Sequence, residues 1–170
     1  MMRIYLTNLG LYNEGILSGE WLELPATDEE IEALKERTGY DEMHEEYFIT
    51  DYETDINGLK IDEFEDIEYL NKLAELIEEE PEKVEALLYF GYDDPEKIEK
   101  HLDDVMYVTT PEGFESEEFA IGWYYAKELE CLNIPEEIES YFDFEAYGRD
   151  VMMSGSFYTA EDGSIFELAA

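Results

Sequence analysis

FEDIEYLNKLAELIEEE, residues 64–80, is where the chain changes its period. Phe64, Ile67, Leu70, Leu73, Ala74 and Ile77 recur three or four residues apart, which sets them on one face of an α-helix. Glu65, Glu68, Glu75, Glu78 and Glu79 fall on the other faces, where water can reach them. A stripe of this kind reads as core and not as a cofactor box. Pro81 suits the first turn of a second helix, PEKVEALLYF, which Gly91 stops. Asp94-Pro95 opens a third, with Ile98 and Leu102 turned inward. Residues 63–102 are therefore predicted to form a short helical bundle.

On the N-terminal side the period is two. RIYLT (3–7), EWLEL (20–24) and EYFITDY (46–52) read as strands, with Trp21 as a core anchor. Residues 8–19 hold Gly10, Asn13, Gly15 and Gly19 and read as a loop. Thr27 with Glu30 forms a capping box for a helix through Ile31, Leu34 and Lys35, ended by Gly39. Residues 1–62 are thus a small unit of strands with one helix.

On the C-terminal side strands return. VMYVT (105–109) is a strand, and Ser116 caps a helix to about Glu130 with Phe119, Trp123 and Ala126 inward. Pro135 begins a further helix through Tyr141. Phe157–Thr159 and Ser164–Leu168 flank Glu161-Asp162-Gly163, a hairpin signal. Within residues 135–155, PEEIESYFDFEAYGRDVMMSG, carboxylates alternate with Ile138, Tyr141, Phe142, Phe144, Tyr147 and Val151, expected as a buried aromatic seam. Arg149 stands among them as one of only two bases after His101, and is expected to bridge carboxylates on another element or a second subunit. The expected fold class is α+β: three small domains in a row, 1–62, 63–102 and 103–170.

Charge narrows the function. The 170 residues carry 47 acids against 10 bases, a net −37, yet 45 % are hydrophobic and 15 % aromatic. Disordered acidic chains lack that apolar content. The excess is spread evenly, with nets of −12, −10 and −15 over the three units. Self-repulsion opposes folding, so retaining it implies a use. Duplex DNA carries one charge per about 1.7 Å of axis, so this chain matches about 63 Å of duplex. A compact globule of this length has a radius of gyration of only about 15 Å. A chain imitating the linear charge of DNA is therefore expected to be elongated. The natural partner is a basic groove. Direct binding of nucleic acid is not expected, because there is no basic patch.

Other chemistry is sparse. His44 and His101 lie apart, with no motif around them, and are expected to be solvated or capping. Cys131 is a single cysteine, expected to be buried and reduced, which suits a cytoplasmic protein. No apolar run spans a membrane, and MMRIYLTN lacks the apolar core of a secretory leader. Phosphate-binding, dinucleotide, zinc-protease and nucleophile-elbow motifs are absent, and ETDINGLKIDEF (53–64) fails as a calcium loop at both ends. Carboxylate pairs are everywhere, so none of them marks an active site. Neither enzyme activity, nor cofactor, nor metal is expected.

IYLTNLGLYNEG (4–15), EEYFITDYE (45–53), YFDFEAYGRD (141–150) with SGSF (154–157), and the closing SIFEL together resemble the ArdA family of antirestriction proteins. The blocks lie in order at both ends of the chain; residues 63–115 match only in length and acidity. The resemblance implies a protein of mobile genetic elements, an elongated three-domain DNA mimic that dimerises through its C-terminal domain. It implies occupancy of the DNA groove of type I restriction-modification enzymes, on their methyltransferase core. The family's antirestriction motif corresponds to residues 135–150. Glu136, Glu137, Glu139, Asp143, Glu145 and Asp150 are then the expected partner-facing acids. Tyr141, Phe142, Phe144, Tyr147 and Arg149 are the expected structural or dimer contacts. Two chains in line would carry −74, about 126 Å of duplex. A second reading of the same charge is an acidic adaptor or chaperone-like module for basic proteins.

Overall fold

The computed structural model describes residues 1–114 and 116–169; Glu115 and Ala170, the last residue of the expected third unit, lie outside them. The chain runs β1 (Met2–Asn8), α1 (Leu9–Asn13), β2 (Gly19–Leu24), α2 (Asp28–Arg37), β3 (Tyr47–Thr54), α3 (Ile67–Glu79), α4 (Pro81–Tyr89), α5 (Pro95–His101), β4 (Val105–Val108), α6 (Glu117–Trp123), α7 (Glu136–Glu139), α8 (Phe144–Met152), β5 (Ser156–Thr159) and β6 (Ile165–Leu168). It is an α+β fold with two three-stranded antiparallel sheets, ordered β2-β1-β3 and β4-β6-β5.

In the first sheet, alternation along β1 sends Met2, Ile4 and Leu6 into the core and Arg3 and Tyr5 outward. Tyr5 pairs across to Trp21 of β2, ring to ring at 5.3 Å, and Arg3 lies 4.5 Å above the Trp21 ring. Trp21 is therefore half-buried on the outer face, not a core anchor: it shares its sheet face with Arg3, whose guanidinium must stay wet. The capping box of α2 is formed as expected, with Glu30 N–H donating to Thr27 Oγ1 and Thr27 N–H donating to Glu30. Gly39 follows the helix at φ 91°, a conformation that favours glycine. The 8–19 segment is not all loop. Asn8, fully buried, caps α1 by accepting from Leu11 N–H, so one turn of helix forms there.

The middle helices begin at the expected signals. Asp66 caps α3, Pro81 is the first residue of α4, and Asp94 caps α5. Leu70, Leu73, Ala74, Leu76 and Ile77 of α3 are buried, at about 1.5–3 kcal/mol for each large side chain. Phe64 does not join this stripe. It precedes the cap, is 70 % exposed and stacks on Phe48. The Asn71 amide of α3 bonds both to the N–H and to the carbonyl of Ala26, fastening the helices to the first sheet.

Cores do not stop at the expected unit boundaries. One apolar cluster runs from Met2, Ile4 and Leu6 through Leu73, Val84 and Leu87 to Val105, Tyr158 and Phe166. α4 packs on all three strands of the second sheet, and the Tyr158 hydroxyl of β5 donates to Glu85 of α4. The other face of that sheet meets a second cluster, Val108, Ala120, Ile121, Tyr124 and Ile165. β6 is thus covered on both sides, which buries Ile165, Phe166 and Glu167 alike. The expected hairpin is present, with β5 and β6 paired antiparallel.

Three helical expectations need correction. After Trp123 the α6 helix widens into a π-turn, Tyr124–Glu128. Ala120, Ile121, Gly122, Tyr124 and Ala126 are buried, while Phe119 and Trp123 are only half-buried. The helix after Pro135 lasts four residues instead of reaching Tyr141. The longest helix of this region, α8, begins only at Phe144.

Candidate partner-binding surface

The segment 135–150 is held in place by a glycine-to-glycine helix crossing. A Cβ on Gly148 of α8 would overlap the Glu118 carbonyl oxygen of α6, and one on Gly122 of α6 would overlap the Phe144 carbonyl oxygen. The two backbones therefore touch, which only glycine permits at both positions. Phe144 is buried at this crossing, edge-on to Phe119 at 5.6 Å and to Phe142 at 4.9 Å. Phe142 also meets Tyr147 at 5.9 Å. Asp143 caps α8, accepting from Ala146 N–H at 2.9 Å.

The expected buried seam is only partly built. Phe144 is buried, Phe142, Tyr147 and Val151 are half-buried, and Ile138 is exposed. Tyr141 stands 87 % exposed. The break has a simple cause: α7 ends before Tyr141, so residues 138 and 141 do not share a helix face with 144, 147 and 151.

The acids of the segment divide by what they touch. Glu136, Glu137 and Asp150 face solvent. Glu139 meets Lys127 at 2.7 Å, tying α7 to the π-turn. Glu145 meets Arg149 one turn later at 3.5 Å, with the Arg149 side chain 61 % exposed. A helical surface pair of this type is worth about 0.3–0.5 kcal/mol. Among the described residues, then, Arg149 bridges within its own helix.

The rest of the surface follows the same rule. Arg3 sits on Glu53, Arg37 on Glu20 and Lys72 on Glu99, at 2.6–2.9 Å. Among the described residues six of the ten bases, Arg3, Arg37, Lys72, Lys83, Lys127 and Arg149, are thus occupied by neighbouring acids, and the excess carboxylates point outward. Asp66, Asp94 and Asp143 serve helix N-termini, where the exposed N–H groups favour negative charge. Backbone hydrogen bonds from Thr27 and from Ser164 hold Glu30 and Asp162 below the ordinary carboxylate range. Glu167 is the one buried carboxylate among the described residues.

His44 is not solvated. It is clamped between Glu14 at 3.3 Å and Asp41 at 2.8 Å, and these hydrogen bonds raise its pKa. His101 bonds Asp104 at 2.7 Å. Cys131 is exposed, contrary to expectation, because it lies beyond the π-turn in an open connection. Among the described residues no group of three or more His, Cys, Asp or Glu side chains is placed to hold a metal ion. Among the described residues no helix is long and apolar enough to cross a membrane. Sequence reasoning missed Gly122, Gly148 and Glu167. Their signals were two glycines inside helical patterns and an acid in the apolar strand SIFEL.

Two small sheets joined by helices and clad in outward carboxylates define a strongly acidic α+β binding protein. The chain belongs to the ArdA family: the family model described as Antirestriction protein (ArdA) matches residues 4–166. Family membership makes it an antirestriction protein, an inhibitor of type I restriction enzymes. No curated protein matches the sequence.

Proposed function

We propose that this antirestriction protein is a mimic of duplex DNA, which occupies the DNA-binding groove of a type I restriction-modification enzyme on its methyltransferase core. The observation that carries the reading is the outward, evenly distributed excess of carboxylates on a folded scaffold. Surface area supports the extended shape this requires. A compact chain of 19.9 kDa exposes about 8,700 Å², whereas this one exposes 10670 Å². The units 1–62, 63–102 and 103–170 then lie in a row, stiffened where α4 shares its core with the second sheet. The mechanism is competition, with no bond made or broken and no cofactor. The lysines and arginines of the groove already face a DNA-shaped charge pattern, so complementary potentials speed capture. The exposed Tyr141 supports a homodimer through the C-terminal unit, and the setting is the cytoplasm, where the enzyme meets incoming DNA.

Titration of a purified type I methyltransferase and labelled duplex with this protein tests the reading. Displacement at physiological salt is expected. Binding to many basic proteins without displacement of the duplex would overturn it in favour of a general acidic adaptor.

A further inference from the structure

Imitating phosphates requires carboxylates and not aromatic rings, yet a row of three rings reaches the surface beside the first sheet. Tyr12 of α1 meets Phe48 of β3 edge-on at 5.2 Å, and Phe64 stacks on Phe48 at 6.1 Å. Phe48 is buried, but Tyr12 is 51 % exposed and Phe64 70 %. The backbone presents Phe64 in this way. The Glu63 carbonyl accepts from Ile49 N–H at 2.7 Å, fastening the segment to the edge strand β3, and Asp66 then starts α3. Phe48 and Phe64, with Ile31 of α2, line a groove of about 450 Å³. Its lining carries five acids against one base, Lys35. Glu45, Glu65 and Glu68 of that lining take part in none of the ion pairs among the described residues. Apolar surface rimmed by charge marks an interaction site, with the aromatic side chain as its anchor.

We infer that this groove docks an apolar side chain flanked by lysine or arginine on the restriction enzyme, with the ring row taking the apolar group and the rim acids taking the bases. The inference rests on the enzyme partner of the proposed function and adds a contact that phosphate imitation lacks. Charge complementarity selects the occupant. A second copy of this chain would bring its own acids against the rim, and nucleic acid its phosphates, so both are repelled. A basic protein segment satisfies the rim, and its apolar side chain covers Phe64. Such a contact differs from the rest of the surface in its response to salt: exposed ion pairs are screened, whereas apolar burial is not.

The test measures direct binding of the full chain, fluorescently labelled, to a purified type I methyltransferase over a salt series. Phe64→Ala is expected to weaken binding roughly tenfold at every salt concentration, with the slope against salt unchanged. Phe64→Leu should recover most of that loss, because it restores apolar area without the ring. Glu65→Gln combined with Glu68→Gln should instead make the slope shallower. Tyr89→Ala removes a ring that is 67 % exposed on α4, outside the row, and should change neither quantity. Thermal unfolding confirms that each variant is folded; if Phe64→Ala is not, Tyr12→Ala removes the other exposed ring and should weaken binding severalfold. Unchanged affinity in folded Phe64→Ala, a loss matched by Tyr89→Ala, or a loss that disappears at high salt would overturn the inference. Duplex displacement is followed in parallel. Binding without displacement rejects groove competition and still reads the effect of Phe64, displacement with undiminished Phe64→Ala affinity rejects the ring row alone, and no binding by the unaltered chain rejects both.

Discussion

Gly122 and Gly148 hold positions where no side chain fits. The atoms an added Cβ would strike are backbone carbonyls, which cannot swing aside as a side chain can. Gly148→Ala is therefore expected to force α6 and α8 apart and to cost about 1–3 kcal/mol or more. Urea unfolding would show this as a lower midpoint, and an unchanged midpoint would mean the crossing is not as close as described. His44 is the second informative residue. Hydrogen bonds donated to Glu14 first, then to Asp41, raise its pKa above the ordinary 6.5. A group raised on folding stabilises in full below its unfolded value and loses that contribution as pH rises through the folded value. The clamp between α1 and the loop after α2 should thus be firm below the ordinary 6.5 and slacken as the pH rises through the raised value. NMR titration of the imidazole is expected to give a midpoint above 6.5, with the protection of α1 amides, relative to their intrinsic exchange rates, falling over the same range. His44→Gln should abolish that change in protection.

At the scale of elements, α8 has an orderly cause for each end and face. Asp143 starts it, Gly148 brings it onto α6, and Glu145, Arg149 and Asp150 are left outside. Asp143 sits in the segment expected to contact the partner, yet its carboxylate is spent on a backbone N–H. Asp143→Asn keeps an N-cap and should leave both stability and inhibition nearly unchanged. Asp143→Ala should lower stability by about 1 kcal/mol. Thermal unfolding alongside the duplex displacement assay separates the two, and a large loss of inhibition in a stable Asp143→Asn would make this residue a direct contact.

For the whole molecule, the relevant quantity is a field and not a residue. Six of the ten bases are held by neighbouring acids among the described residues, and the remaining carboxylates are distributed over both sheets and the helices between them. Inhibition by such a surface should decline by degrees. Neutralising three or four exposed acids, such as Glu136, Glu137 and Asp150 together, is expected to weaken displacement only severalfold at physiological salt, and neutralising a dozen to abolish it. A single reversal that eliminated displacement in a folded protein would contradict a distributed mimic. Solution scattering is expected to show a rod-like dimer; a compact monomer would remove the geometric basis of the reading.

Much of this was legible in the residues themselves. Local signals are short-range physics, so the capping box at Thr27, the proline starts at Pro81 and Pro95, the glycine stops at Gly39 and Gly91, and the closing hairpin all appear where the chain places them. The net charge and its even spread needed no structure either, because nearly every acid ends at the surface. Failures came where a neighbour distant in sequence decided the outcome. Trp21 was drawn outward by Arg3, Phe64 was cut from its stripe by the Asp66 cap, and the regular helix gave way to a π-turn after Trp123. The aromatic seam of 135–155 divided because α7 stops after one turn. Above all, periodicity can show that a glycine interrupts a helix or that an acid interrupts a strand, but not what lies opposite it. Only the tertiary structure set Gly148 against Gly122, and covered β6 on both faces so that Glu167 was carried inside with its apolar neighbours.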